Sequence, residues 1–174
     1  YSMDTTHYSN NELRRITFHL RMNRPQSLFA RAWLLVEGET ETWLLSELAR
    51  LCGYHLLVEG IQVIEFAQCG LKPLIKLAQD LNIEWHVLTD GDDAGQKYAS
   101  RVKDMLGESD SLNTRLTVLP AHDIEHLFFE NGFADVYLKA ANYTKQDLGR
   151  FSTKKIIDKA VHKYSKPGLG IAIA

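Results

Sequence analysis

Thr89-Asp90-Gly91-Asp92-Asp93-Ala94-Gly95 is the stretch from which the rest of this chain can be read. The run before it, Ile83-Glu84-Trp85-His86-Val87-Leu88, is short, apolar and β-prone. The run after it, Gln96 to Leu106, is patterned as a helix. A buried strand therefore ends at Leu88 or Thr89 and delivers Asp90 and Asp92 to its carboxyl end. In open α/β sheets that edge is where ligands bind. Gly91 and Gly95 let the backbone turn tightly. Carboxylates crowded on a turn repel one another, which suggests a hard cation with oxygen ligands, Mg²⁺ or Mn²⁺. Acids at a helix start also serve as N-caps. Asp93 is read as such a cap, and Asp90 with Asp92 as a metal-binding pair.

The same strand-turn-helix unit recurs on either side. Ala32-Trp33-Leu34-Leu35-Val36 is a buried-strand pattern, followed at once by Glu37-Gly38-Glu39-Thr40-Glu41. A helix with Leu44, Leu45, Leu48 and Leu51 at helical spacing then runs to Gly53. Ile61 to Ala67 is a second strand and Gly70 to Leu81 a second helix, with Pro73 in its first turn. Thr114 to Leu119 is a fourth strand, closed by Pro120. Alternation of this kind predicts a parallel sheet with right-handed crossovers. After Pro120 the pattern becomes helical. Ala121 to Phe129, Phe133 to Ala141 and Thr153 to Tyr164 read as helices, Asn131-Gly132 as a stop, and Lys166-Pro167-Gly168 as punctuation before a last apolar run. Upstream, Glu12 to Met22 is helix-like and Asn23-Arg24-Pro25 breaks it. Trp33, Trp43 and Trp85 read as core, and His55 and His86 as core or rim residues.

Composition sets the bounds. The chain has 174 residues, 45% of them hydrophobic, enough for one α/β domain with an appendage. Its net charge of −2 announces no broad basic surface. Setting aside the six clustered acids described below leaves 16 acids against 20 lysines and arginines, so the remaining surface is basic. Cys52 and Cys69 lie in apolar settings without a CxxC pair, which indicates a reducing, cytoplasmic compartment. No apolar run is long enough to span a membrane, and no signal peptide is visible.

Three acidic groups fall at the carboxyl ends of the predicted strands: Glu37 with Glu41, Asp90 with Asp92, and Asp123 with Glu125. In a parallel sheet these ends share one edge. Such a cluster without cations is costly, about 1 kcal/mol or more per close pair at surface-like dielectric. Two divalent ions would relieve it, and a two-ion site is suited to in-line displacement at phosphorus. Leu-Leu-Val-Glu-Gly occurs twice, at 34–38 and 56–60, but only the first copy has a carboxylate four residues on at a helix start. Glu59 is therefore expected in a turn or at the opposite edge, away from the ligands. His122 and His126 lie four apart beside the acids but lack the cysteine partners of a zinc site.

Val36-Glu37-Gly38-Glu39-Thr40-Glu41, followed later by Asp90-Gly91-Asp92-Asp93-Ala94-Gly95, resembles the two acidic motifs of the Toprim domain. That fold is shared by topoisomerases, bacterial primases, small nucleases and the OLD (overcoming lysogenization defect) endonucleases. The chain is most similar to the OLD family. Asp123-Ile124-Glu125 fits that family's third motif, and Lys166 stands where the family places a catalytic lysine after a helical insertion. The resemblance covers about Leu28 to the end. It implies a Rossmann-like, mainly parallel four-stranded sheet flanked by helices, with a small C-terminal helical annex. Residues 1–27 would be a linker or helix from a preceding domain, 28–132 the Toprim domain, and 133–174 an annex cut short.

The resemblance further implies a metal-dependent DNA endonuclease. Glu37, Glu41, Asp90 and Asp92 would be catalytic, as would Lys166. The same four acids with Asp123 and Glu125 would hold two Mg²⁺ or Mn²⁺ ions. The expected partners are DNA and an N-terminal ABC-type ATPase domain in a longer protein, with no membrane and with oligomers open to the full-length form. The phosphate loop Gly-x-x-x-x-Gly-Lys-Ser/Thr is absent from these residues. The rival readings are a non-catalytic Toprim module acting as a DNA-repair scaffold, and a receiver-like domain phosphorylated on Asp90. Lys154, Lys155, Lys159 and Lys163 read either as a solvated helix face or as a strip contacting phosphates.

Overall fold

The computed structural model describes residues 8–20, 25–108 and 110–173. Parts of the expected linker, residues 1–7 and 21–24, lie outside the described residues. Within that stretch α1 (Asn10–Phe18) starts at Ser9, whose hydroxyl accepts from the Glu12 N–H while the Glu12 carboxylate takes the Ser9 N–H. Ile16 and Leu20 are buried in the same core as the sheet.

The α/β layer follows the alternation in the sequence. β1 (Ala32–Val36), α2 (Glu39–Leu51), β2 (Ile61–Glu65), α3 (Leu71–Asp80), β3 (Glu84–Thr89) and α4 (Asp93–Lys103) succeed one another. A short turn, α5 (Leu112–Arg115), leads into β4 (Leu116–Val118). All pairings are parallel and the sheet order is β2-β1-β3-β4. Ala32 pairs with both Ile61 and Glu84, and Val87 with Leu116, so the strands run in step and their carboxyl ends line one edge. The central strands are apolar on both faces because helices cover both; Leu35, Val36 and Val87 are fully buried. α3 presents Leu71, Leu74, Ile75, Leu77 and Ala78 to this core.

Several details differ from the sequence-based expectation, among them the end of β2 at Glu65, not Ala67, and the N-cap of α4, which is Asp92 and not Asp93. β4 is shorter than Thr114–Leu119, because Thr114 and Arg115 belong to α5. Arg115 anchors that turn: its guanidinium reaches Asp110 at 2.7 Å and Glu84 at 2.5 Å, and lies 4.9 Å from the centre of the Trp85 ring. Trp43 is not core. It is 62% exposed on α2, beside an open groove shared with Leu57, Val58 and the edge strand β2. Lys166-Pro167-Gly168 does not merely punctuate. It opens another helix, α9 (Lys166–Ile173), in whose first turn a proline's missing N–H is no loss.

Past β4, α6 (Ile124–Phe128) is followed by a break at Asn131 and Gly132, the latter at φ 105°. α7 (Ala134–Ala141) closes on Asn142 in the left-handed region. α8 (Thr153–Tyr164) and α9 complete the annex. Its core is separate from that of the sheet and contains Phe129, Tyr137, Leu138, Ile156, Ile157 and Leu169. α9 packs on α8 and also on α2, which brings the end of the annex back to the α/β layer. No described helix is long and apolar enough to cross a membrane.

Candidate metal centre

The three acidic groups meet at the carboxyl edge of the sheet. Each sits at the start of a helix, and in each one carboxylate is held by backbone N–H groups. Gly38 N–H donates to Glu41 Oε2 (3.0 Å), Gly95 N–H to Asp92 Oδ1 (2.7 Å), and His126 N–H to Asp123 Oδ1 (2.7 Å). Glu41, Asp92 and Asp123 thus do the work of caps, and the cap bond fixes each carboxylate at the edge.

The other three acids are held differently. Glu125 is 4% exposed and Asp90 and Glu37 are half-buried. Burial, then the charges of Glu41, Glu37, Asp123 and Glu125, push Asp90 up to about 7. Burial likewise raises Glu37, with Asp92 and Glu41 adding to the rise and Lys166 opposing it. Asp90 thus feels the charges of Glu37, Glu41, Asp123 and Glu125, and Glu37 those of Glu41 and Asp92, which links all six predicted acids in one site. Asp123 departs in the other direction. Burial pushes it up, but the backbone and ring N–H groups of His126 outweigh that and hold it below the usual carboxylate range.

Close packing of two glycines makes this convergence possible. A Cβ on Gly91 would stand 2.3 Å from Ala121 O, and one on Gly95 would stand 2.0 Å from Asp90 O. Gly91 N–H also donates to Ala121 O (3.1 Å), which joins the β3 turn to the loop leading into Asp123. Neither glycine has positive φ. Their role is to leave space, not to permit an unusual backbone turn.

Lys166 stands at the same edge, its Nζ 2.9 Å from Glu125 Oε1. Burial opposes its charge, but the bond to Glu125 and the fields of Glu41 and Asp123 hold the ammonium above its ordinary value. Glu59 precedes β2, at the amino end of the sheet, opposite Glu37. His86 bonds Thr114 O and Thr117 Oγ1 between β3 and β4.

The donor set suits a hard divalent cation. Glu37 Oε2 and Glu125 Oε2 are buried with no hydrogen-bond partner among the described residues, and so is Thr89 Oγ1 at the end of β3. Buried polar atoms without partners are rare and call for an explanation. All-oxygen donors with repelling charges are what Mg²⁺ and Mn²⁺ select. Among the described residues no three His, Cys, Asp or Glu side chains stand close enough together to form a ready-made ligand cage.

Two participants were not assigned a role from the sequence. Thr89 left no signal there. His126 did: Asp123-x-x-His126 at a helix start places a ring N–H beside the capping carboxylate, and Nδ1 lies 2.7 Å from Asp123 Oδ1. His122 meets His126 edge-to-face at 5.3 Å.

Residues 28–92 match the family model described as overcoming lysogenization defect protein-like, TOPRIM domain, and residues 1–27 match one described as a protein of unknown function (DUF2813). Uncharacterized protein YbjD of Escherichia coli (strain K12) is 54% identical over 167 residues, covering 95% of this chain; the chain spans 30% of that relative's length. Among solved structures, the C-terminal region of the Burkholderia pseudomallei OLD protein superposes with a TM-score of 0.67 at 22% identity, covering 83% of this chain and 87% of that one. The corresponding region of the Xanthomonas campestris pv. campestris OLD protein gives 0.60 at 17% identity, with 85% and 84% covered.

Proposed function

We propose, on the premise that this chain carries an OLD-like Toprim domain, that it is the cleaving part of a divalent-metal-dependent DNA endonuclease. Its organisation would be the one expected from the sequence, with residues 28–132 as the catalytic layer, 133–174 as the annex and 1–27 as the link to an ABC-type ATPase domain. One observation carries the reading above all: the acids that follow β1, β3 and β4 converge on the ligand-binding edge of one parallel sheet, where Asp90 lies half-buried among four other carboxylates.

Glu37, Glu41, Asp90, Asp92, Asp123 and Glu125 would hold two Mg²⁺ or Mn²⁺ ions. Bound there, such ions would supply an activated water, neutralise the phosphate and stabilise the leaving oxygen. The residues of the chain prepare the site. The caps at Gly38, Gly95 and His126 fix one oxygen each of Glu41, Asp92 and Asp123, leaving the second oxygen of each for a ligand. Asp90 and Glu37 hold protons more readily than free carboxylates and would release them to a competing cation. Lys166 contributes a fixed positive charge beside Glu125, suited to the negative charge that grows on a phosphoryl group in the transition state. None of these roles calls on ATP, and the chain acts on DNA in the cytoplasm.

The test is nicking of supercoiled plasmid by the purified chain with Mn²⁺ or Mg²⁺ and without ATP. Cleavage is expected to be slow, abolished by EDTA, and absent from Asp90→Ala/Asp92→Ala protein purified in parallel. Equal cutting by the double variant would assign the activity to a contaminant and reject the reading.

A further inference from the structure

We infer that the solvent-facing side of α8 is a seat for the phosphate backbone of duplex DNA, separate from the carboxylate edge; the choice of DNA rests on the nuclease reading above. Lys155, Lys159 and Lys163 stand at i, i+4 and i+8, so they form one stripe rising about 6 Å per step. Ile156, Ile157 and Ala160 occupy the buried side of the same helix. Each ammonium of the stripe lies over an aromatic ring. Lys155 is 4.7 Å from the centre of Phe151, Lys159 is 3.8 Å from Tyr143, and Lys163 is 5.5 Å from Tyr164. Tyr143 and Phe151 stack on one another at 4.7 Å. Lys163 Nζ also donates to Asn142 Oδ1 (2.8 Å).

These contacts hold the lysines in place without neutralising them. Among the described residues none of the three forms a salt bridge; Asp147, within reach of the field of Lys159, is occupied in capping Thr144. A solvated lysine normally surrenders side-chain freedom when it binds, and a ring beneath the ammonium lowers that loss. Charge is segregated along the chain as well. Residues 143–166 carry seven lysines and arginines against two aspartates, while the whole chain is −2. Evenly spaced, pre-positioned cations on a straight helix fit a ligand with regularly repeated negative charge, and a nucleic-acid backbone is one. The last lysine of the stripe is three residues from Lys166, which touches Glu125 at the sheet edge. The stripe is therefore followed along the chain by the lysine that contacts the carboxylate site.

The experiment is fluorescence anisotropy of a labelled duplex of mixed sequence, titrated in EDTA at several salt concentrations. The proteins are the wild type, Lys155→Gln/Lys159→Gln/Lys163→Gln, and a control with Lys72→Gln/Lys97→Gln/Lys103→Gln on the α/β layer. The stripe variant should bind about tenfold or more weakly at low salt, with a log K against log salt slope shallower by roughly 2–3. The control should stay near wild type. The corresponding triple lysine-to-arginine variant should recover both affinity and slope, which separates lost charge from misfolding. An unchanged slope in the stripe variant, or equal losses in the control, overturns the inference. So does stripe-dependent binding to phosphatidylserine vesicles without binding to the duplex. Because EDTA suppresses cleavage, the two readings fail separately. Stripe-dependent binding by a chain that never cuts DNA would reject the nuclease and leave the seat standing.

Discussion

Asp90 holds its proton more tightly in the folded chain than in the open one, for the reason that makes it a ligand candidate: it is half-buried among other carboxylates. Its ordinary value of 3.8 is pushed up to about 7. Between those two values the folded state keeps a proton that the unfolded state has released, so stability falls as pH rises through that window and levels off above it. In EDTA, the melting temperature should drop from pH 5 to pH 8, and Asp90→Asn should flatten the drop. If the variant keeps the wild-type slope, Asp90 is not the group responsible. Gly91 makes a prediction of a different kind. A methyl group there collides with the carbonyls of Ala121 and Leu119, at 2.3 and 2.6 Å, whereas one on Gly107 meets only Asp110 Oδ2 at 3.5 Å. Gly91→Ala should therefore lose about 1–3 kcal/mol in urea denaturation and Gly107→Ala little. Similar losses for both would show that the β3 turn and the Ala121 loop can part without penalty.

Lys166 owes its place to an element that could not be read in advance. Pro167 and Gly168 are poor residues for a helix interior, so the segment looked like a break. At the first turn of α9 they are acceptable, and packing of that helix on α2 and α8 decides the matter. A similar tertiary override shortened β4, where the β-prone Thr114-Arg115 was drawn into a turn by Asp110, Glu84 and Trp85. By contrast β1, β2 and β3 were legible because uninterrupted apolar runs bounded by turn residues have few other uses. The acids of the site were legible for the same reason, since each follows a strand end. Position at a helix start marked these acids as possible caps, but the role read for Asp93 belongs to Asp92, and Glu41 and Asp123 hold backbone N–H groups in the same way. Trp43 was misread because an aromatic on a helix carries no mark of which side faces out. From the position of α9 we expect Lys166→Ala to cut plasmid at least tenfold more slowly. Its divalent-metal affinity, by calorimetry, should be equal to wild type or slightly higher, because the ammonium no longer competes for Glu125. Wild-type cleavage by this variant would make the lysine a structural partner of Glu125 and nothing more.

At the scale of the whole molecule the described residues form two hydrophobic cores, one around the sheet with α1 and one within the annex. Stability need not be uniform across such a molecule. Ile156, 1% exposed at the centre of the annex core, can be shortened to test this. Ile156→Ala should lose about 2–5 kcal/mol of annex stability and speed hydrogen exchange in α7 and α8, while β1 and β3 amides stay protected. Uniform acceleration across both layers would show a single cooperative unit. The convergence of acids from successive turns also bears on biosynthesis. Glu37 and Lys166 are made far apart in time, and the edge is incomplete until the annex has emerged from the ribosome and folded back. At about 5–20 residues per second, the stretch between Glu125 and Lys166 alone takes a few seconds. If this chain cuts DNA as proposed, the nascent polypeptide passes that interval with its carboxylates present and its lysine missing. Synthesis would then itself act as a delay before the nuclease reaches its full rate.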